Sequence, residues 1–296
     1  MSSALVLGTA QLGFAYGIAN KAGQPDQALA TEIVRSAWEA GITEFDTAQD
    51  YGESEEVLGR AFAALGIAGE ARVVSKLDPA LDHCDPRAVS RALDATLRKL
   101  GVPALSGLML HDENLLSRWP RGVGDAIRGL VASGRVAAAG VSVYSPEKAC
   151  EALCTEGIDL VQVPSNILDG RFFRKGVFAL AAEKKKRVYI RSVFLQGLLL
   201  MDPDGLPAHM AHARPVLERV KALAEDLGVT RHTLALGYLR AKAPEAKLVI
   251  GVDAPAQIRE NVSRALKETA DDLVSPVEKS FANVDEKIIN PSLWRT

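Results

Sequence analysis

Asp46-Thr47-Ala48-Gln49-Asp50-Tyr51-Gly52-Glu53-Ser54-Glu55, following the run Gly41-Ile42-Thr43-Glu44-Phe45, is the stretch from which the rest of the chain can be read. Residues 44–46 have the composition of a short strand that ends on a carboxylate. A glycine-containing turn comes next, and a helical pattern opens at Glu55. A strand that passes through a loop into a helix is half of a strand–helix–strand unit. The same construction recurs along the chain, with candidate strands at Leu5–Gly8, Glu44–Asp46, Val73–Lys76, Gly107–His111, Val136–Ser142, Leu160–Val163, Val188–Ser192 and Leu248–Gly251. Helical patterns separate them at Gln27–Ala40, Glu55–Leu65, Pro86–Leu100, Gly124–Ser133, Pro146–Thr155, Lys175–Lys186 and Pro255–Ala265. Pro86 and Pro146 each follow a residue of N-cap type, while Gly41, Gly101, Gly134 and Gly228 stand where helices should stop.

Eight such units without a break in composition predict one α/β domain over residues 1–296, a closed (β/α)8 TIM barrel rather than a doubly wound sheet. Arg214–Leu227 and Arg231–Ala243 both read as helices, so an extra helix is expected before the last strand. The tail from Lys267 to Thr296 is polar with an apolar finish at Ile288–Trp294, and is expected to lie across the barrel.

The 296 residues are 48% hydrophobic, enough for one large core, and the net charge of −2 gives no electrostatic case for nucleic acid or an anionic membrane. No apolar run approaches the roughly 20 residues that cross a bilayer. Three cysteines are too few for a disulfide framework, and Met1–Leu7 has no basic start of a secretory signal. These features predict a soluble, cytoplasmic protein. Cys150, Cys154 and the pair His83-Cys84 have no zinc-site spacing, so no metal is expected. Lys184–Arg187 reads as a solvated helix end, and Met201–His212 as a loop.

Two further strand ends carry polar side chains. Val73-Val74-Ser75-Lys76 closes on a lysine and Leu108-Met109-Leu110-His111 on a histidine. In a barrel the C-terminal strand ends converge on one face, so Asp46, Tyr51, Lys76 and His111 are expected to meet there. Together they suit proton donation to a carbonyl. A phenol titrates near 10, and a neighbouring ammonium is expected to lower that value. A carboxylate would hold the lysine in place, and an imidazole would orient the carbonyl oxygen.

The set Asp46-x-Ala48-x-x-Tyr51-Gly52-x-Ser54-Glu55, followed by Lys76 and His111, closely resembles the aldo-keto reductase family, from Leu7-Gly8-Thr9-Ala10 to Glu260-Asn261. The resemblance implies a (β/α)8 barrel and NAD(P)-dependent reduction of an aldehyde or ketone. Hydride would leave nicotinamide C4, and Tyr51 would give the proton. The partner implied is a small-molecule carbonyl or alcohol, with the oligomeric state left open.

Gly8–Gly13 lacks the Rossmann glycine spacing, so a different cofactor site is expected. The resemblance places an extended dinucleotide across the barrel mouth. It implies Ser142 and Gln162 for the carboxamide, and the stretch with Arg191, Ser192, Phe194, Gln196, Gly197 and Leu198 for the nicotinamide and pyrophosphate. Gly251, Asp253, Gln257, Glu260 and Asn261 are implied for the adenosine. The chain departs from the family at Val143, where an asparagine is usual, and at Arg191, where an aromatic stacks on the nicotinamide. The basic residues that clamp a 2′-phosphate are also missing, with Val252, Asp253, Ala254 and Gln257 in their place. An aspartate there suits a free 2′-hydroxyl, and Arg259 is the remaining cation for a phosphate. The family favours NADP(H) and the local charge NAD(H); the expectation leans slightly to NADP(H). Tyr16 and Trp119 are candidates for the substrate pocket. A Schiff-base aldolase using Lys76 and a non-catalytic cofactor-sensing subunit are the alternative functions.

Overall fold

The computed structural model describes residues 4–265 and 271–294. Eight parallel strands close into a barrel in sequence order: β1 (Leu5–Gly8), β2 (Glu44–Asp46), β3 (Arg72–Leu77), β4 (Gly107–Leu110), β5 (Ala139–Ser142), β6 (Leu160–Pro164), β7 (Arg187–Arg191) and β8 (Lys247–Ile250). β1 pairs with β8 through Leu5↔Leu248, which closes the ring. The (β/α)8 barrel expected from the sequence is the fold, including the extra helix Arg214–Asp226 ahead of helix Arg231–Lys242 and β8.

Side chains alternate across each strand, and this period of two builds the site. Val6, Val74, Met109, Leu160, Tyr189 and Val249 point inward and form a dry plug within the barrel. Their outward neighbours pack under the helices; Phe45, for example, meets Phe62 edge-on at 4.9 Å. Leu160 needs small neighbours within the barrel. A β-carbon on Gly107 or Gly140 would come within 2.3 or 2.6 Å of its side chain. Two residues beyond the plug, each strand again faces inward. Those positions are Gly8, Asp46, Lys76, His111, Ser142, Gln162, Arg191 and Gly251. One pleat therefore places a mostly polar layer on an apolar floor, at the end where the strands run into the loops.

Some boundaries differ from expectation. Val136 makes only an isolated bridge to Leu105, so β5 starts at Ala139. The expected helix Lys175–Lys186 is shorter, Val177–Glu183, because Gly176 ahead of it takes a left-handed φ of 77°; a separate turn of helix, Arg171–Arg174, precedes it. The segment Met201–His212, expected as a loop, is wound into short 3₁₀ turns at Pro203–Gly205 and Ala208–Ala213, and a further one at Leu198–Leu200 precedes it. The described part of the tail, expected across the barrel, lies against the outer helices. Helix Val274–Ser280 packs on helices Arg214–Asp226 and Arg231–Lys242, and Glu286–Ile289 buries Ile288 and Ile289 near the turn 208–213. Its apolar residues find those outer helices first; residues 267–270 and 295–296 of the expected tail lie outside the described ones. No described helix is long and apolar enough to cross a membrane.

Candidate active site

Lys76 is fully buried, and its Nζ donates to Asp46 Oδ1 at 2.7 Å and to the carbonyl of Thr47 at 2.9 Å. Asp46 accepts on its other oxygen from Gln162 Nε2 at 2.7 Å, and Gln162 Oε1 lies 3.4 Å from the Ser142 hydroxyl. Burial lowers the Lys76 pKa, and the carboxylate of Asp46 opposes that shift. A buried ammonium with no counter-charge would be far costlier than this pair.

Tyr51 sits above the pair, with Lys76 Nζ 4.9 Å from its ring centroid. Its ring meets His111 edge-on at 5.6 Å, and His111 Nδ1 is buried without a partner among the described residues. All four proposed catalytic side chains are thus brought together. One electrostatic expectation is reversed. Tyr51 is shifted up from 10, first by burial and then by Asp46, rather than down by the lysine. The ammonium is already neutralised by Asp46, so desolvation of the phenolate dominates. The phenol therefore keeps its proton. Burial, Lys76 and Arg191 push His111 down to about 3, so its imidazole is neutral at physiological pH.

The loop that carries Tyr51 is fixed from beneath. Ser54 Oγ reaches Thr9 O and Oγ1 at 2.8 Å, and Thr47 Oγ1 at 3.1 Å. Glu55 is buried as the acceptor of Ser75 and Thr96. Gly13 lies so close that a β-carbon there would fall 1.7 Å from the Tyr51 carbonyl oxygen; one on Gly52 would fall 2.6 Å from Gly13 O. Both glycines are dictated by this backbone contact. The sequence signal was present, but nothing local shows that the two glycines meet.

A cavity of about 500 Å³ opens over Asp46 and Tyr51, runs past Arg191, Ser192, Phe194, Gln196 and Gly197, and ends at Gly251, Asp253, Gln257, Glu260 and Asn261. Tyr16 lines it near Tyr51, linked through Phe14 by edge-on ring contacts. Ser192, Leu195 and Gln196 have left-handed φ values of 60°, 50° and 54°, followed by Gly197 at 87°. The turn is closed by its own backbone, with Leu195 N donating to Ser192 O at 2.9 Å and Gly197 N to Phe194 O at 3.0 Å, and its left-handed non-glycine residues are strained. At the far end, Asp253 Oδ1 and Asn261 Oδ1 are buried acceptors without partners among the described residues. Gln257 braces this corner, accepting from Asp253 N at 2.7 Å, while Glu260 is held by Arg264 at 3.0 Å. Arg259 is exposed and does not line the cavity.

Several expected positions differ. Trp119 is buried away from the cavity, its indole donating to Glu156 O at 3.0 Å beside Gly157, at the other end of the barrel. The 3₁₀ segment Glu113–Arg121 descends the barrel side and carries the tryptophan with it. Leu198 is core, since an apolar side chain in the turn after Gly197 packs down. Ser142 and Gln162 lie beneath the cavity wall, engaged with each other and with Asp46. Lys21, His232 and Gln11 line the cavity without having been singled out. Among the described residues no group of His, Cys, Asp and Glu could hold a metal ion.

The chain is 25% identical over 298 residues to the NADH-specific methylglyoxal reductase of Escherichia coli, covering 90% of this chain and 91% of that protein. The glycerol dehydrogenase AKR11B4 of Gluconobacter oxydans has a similar fold, with a TM-score of 0.76 at 22% identity over 96% of this chain and 94% of that one. An aldo-keto reductase of Klebsiella pneumoniae solved with NADPH has a TM-score of 0.71 at 20% identity, covering 97% and 93%. The sequence model described as "Aldo/keto reductase family" matches residues 4–280, nearly the whole chain and every part of the site described above, and the chain belongs to that family.

Proposed function

We propose that the protein reduces a small aldehyde or ketone, with a nicotinamide dinucleotide as hydride source and Tyr51 as proton donor. The observation that carries this reading is the Tyr51 phenol at the cavity floor, set over the Lys76–Asp46 ion pair, with burial favouring its protonated form. The cavity suits the cofactor: it runs from Tyr51 past Arg191 to Asn261, and the unpartnered oxygens of Asp253 and Asn261 match hydroxyl and amino donors. When bound, the cofactor supplies hydride from nicotinamide C4. The chain's own residues do the rest. His111, neutral and beside the phenol, orients the substrate carbonyl, and Tyr51 delivers its proton to the carbonyl oxygen. Lys76 and Asp46 hold the charge balance beneath it.

Lys76 is fully buried beneath Tyr51 and engaged by Asp46 and Thr47 O, which disfavours its use as a Schiff-base nucleophile. For the cofactor, we favour NAD(H) over the NADP(H) expected from sequence. Asp253 presents a buried oxygen where a 2′-phosphate would bring more negative charge. Gln257 is committed to the loop, and Arg259 points away from the cavity. The E. coli relative named for NADH specificity lends weight to this choice.

Titration of the protein with NADH and with NADPH, followed by nicotinamide fluorescence, tests the reading, together with a panel of small aldehydes and ketones. Tight NADH binding and Tyr51-dependent reduction are expected. Failure of both cofactors to bind would remove the oxidoreductase reading, and a clear NADPH preference would remove the role given to Asp253.

A further inference from the structure

Arg191 is the one strongly basic side chain pointing from a barrel strand into the inner polar layer without a carboxylate partner among the described residues. Its nearest acceptors are distant: Ser192 Oγ and Val143 O, each 3.4 Å away. The guanidinium carbon rests 4.3 Å from the centroid of the Tyr144 ring, which fixes its plane and leaves its charge unneutralised. No carboxylate pairs with Arg191 itself among the described residues, although Asp46 and Asp50 act on Tyr51 and Asp78 acts on His111. Lys76 and Asp46 form a neutral pair, the Tyr51 and Tyr16 phenols are kept protonated by burial, and the His111 ring is neutral. Arg191 also acts on these groups, favouring loss of protons from Tyr51, Tyr16, Lys76 and His111. Arg191 is therefore the unpaired cation of the inner strand layer at the reaction centre, charged at any ordinary pH.

This bears on any nicotinamide bound here, and rests on the function proposed above. A dinucleotide that reaches from Tyr51 to Asn261 must pass Arg191, because that residue lies on the cavity wall between them. The reduced nicotinamide ring is neutral and the oxidised ring is a cation. We propose that Arg191 makes the site selective for the redox state of its cofactor, holding the reduced form and repelling the oxidised one. The protein would then load reduced cofactor even where the oxidised form is in excess, and release the oxidised form readily after turnover. At an effective dielectric of about 20, two like charges roughly 5 Å apart change an equilibrium by about two orders of magnitude. Solvent at the cavity mouth reduces this, so a preference of about tenfold or more is expected.

The test is equilibrium binding, independent of turnover. Dissociation constants for NADH and NAD⁺ (and the NADP pair) are measured by fluorescence and calorimetry in the native protein, in Arg191→Gln and in Arg191→Lys. The native protein should bind the reduced form about tenfold or more tightly. Arg191→Gln should lose most of that ratio, chiefly by binding the oxidised form better, and Arg191→Lys should keep it. Equal affinities in the native protein would overturn the proposal whatever the variants do. An unchanged ratio in a folded Arg191→Gln protein would overturn it too, by assigning the preference to something other than this charge. Failure of the native protein to bind either form would instead remove the oxidoreductase reading, and this inference with it.

Discussion

Gln162 donates from Nε2 to Oδ2 of Asp46 over 2.7 Å, on the carboxylate oxygen opposite the one that holds Lys76. The carboxylate is therefore gripped from two strands, β3 and β6, and the charge of Lys76 depends on it. Asp46→Asn should leave a buried ammonium facing a neutral amide and cost about 3–5 kcal/mol of stability. Adding Lys76→Met, which removes the stranded charge at similar volume, should recover most of that loss. Urea unfolding of the two singles and the double measures both effects. A loss below about 1 kcal/mol in Asp46→Asn would show that the pair does not carry this weight.

Tyr51→Phe removes only the proton that the carbonyl needs. Reduction should slow by about 10²- to 10⁴-fold, with NADH affinity nearly unchanged. Since burial raises the phenol pKa above its ordinary value of 10, native reduction should show no loss from Tyr51 deprotonation as pH rises through the range from about 7 to 10. A pH profile of kcat/KM that falls away from about pH 8, and flattens in the variant, would contradict a phenol that keeps its proton.

His111 makes an acid-stability prediction. In the unfolded chain it titrates near 6.5, whereas in the fold it does so at about 3. Its folded pKa is depressed, so the unfolded chain binds the extra proton. The stability it allows is present above about pH 6.5 and is lost as pH falls toward 3, by up to about 1.4 kcal/mol per pH unit. His83 is also shifted down by burial and adds to the same trend. His111→Gln should reduce the proton uptake on unfolding at about pH 5 by nearly one. Urea unfolding across that range measures it, and an unchanged slope would mean that His111 is charged in the fold.

The strand ends made this fold legible. Asp46, Lys76 and His111 each stand at or within one residue of a strand's end, and the pleat turns all three to the same inner layer. Arg191, Ser142 and Gln162 follow the same arithmetic. The remainder depends on where loops travel, which local pattern does not encode. Trp119 follows His111 in sequence, yet its segment runs down the barrel side to Glu156. Tyr144 reaches Arg191 only because β5 and β7 both flank β6. The direction of the Tyr51 shift was hidden for another reason. A nearby lysine suggests an acidic phenol, but the salt bridge cancels its charge and burial then decides.

The approach of Gly13 to the Tyr51 loop tests how tightly the site is held. A β-carbon at Gly13 would meet Tyr51 O at 1.7 Å and Ser54 N at 2.8 Å, both backbone atoms that cannot swing aside. The loop from Tyr51 to Ser54 must then shift as a body, and the phenol is displaced with it. Gly13→Ala should destabilise the fold by about 1–3 kcal/mol. It should also lower kcat by about tenfold or more, since displacements near 1 Å at a reacting group are costly. Gly69→Ala is the control, because a β-carbon there meets nothing within 4 Å. Both variants are compared by thermal unfolding and steady-state kinetics. If Gly13→Ala matches Gly69→Ala in kcat, the loop's position is not what sets the phenol's alignment.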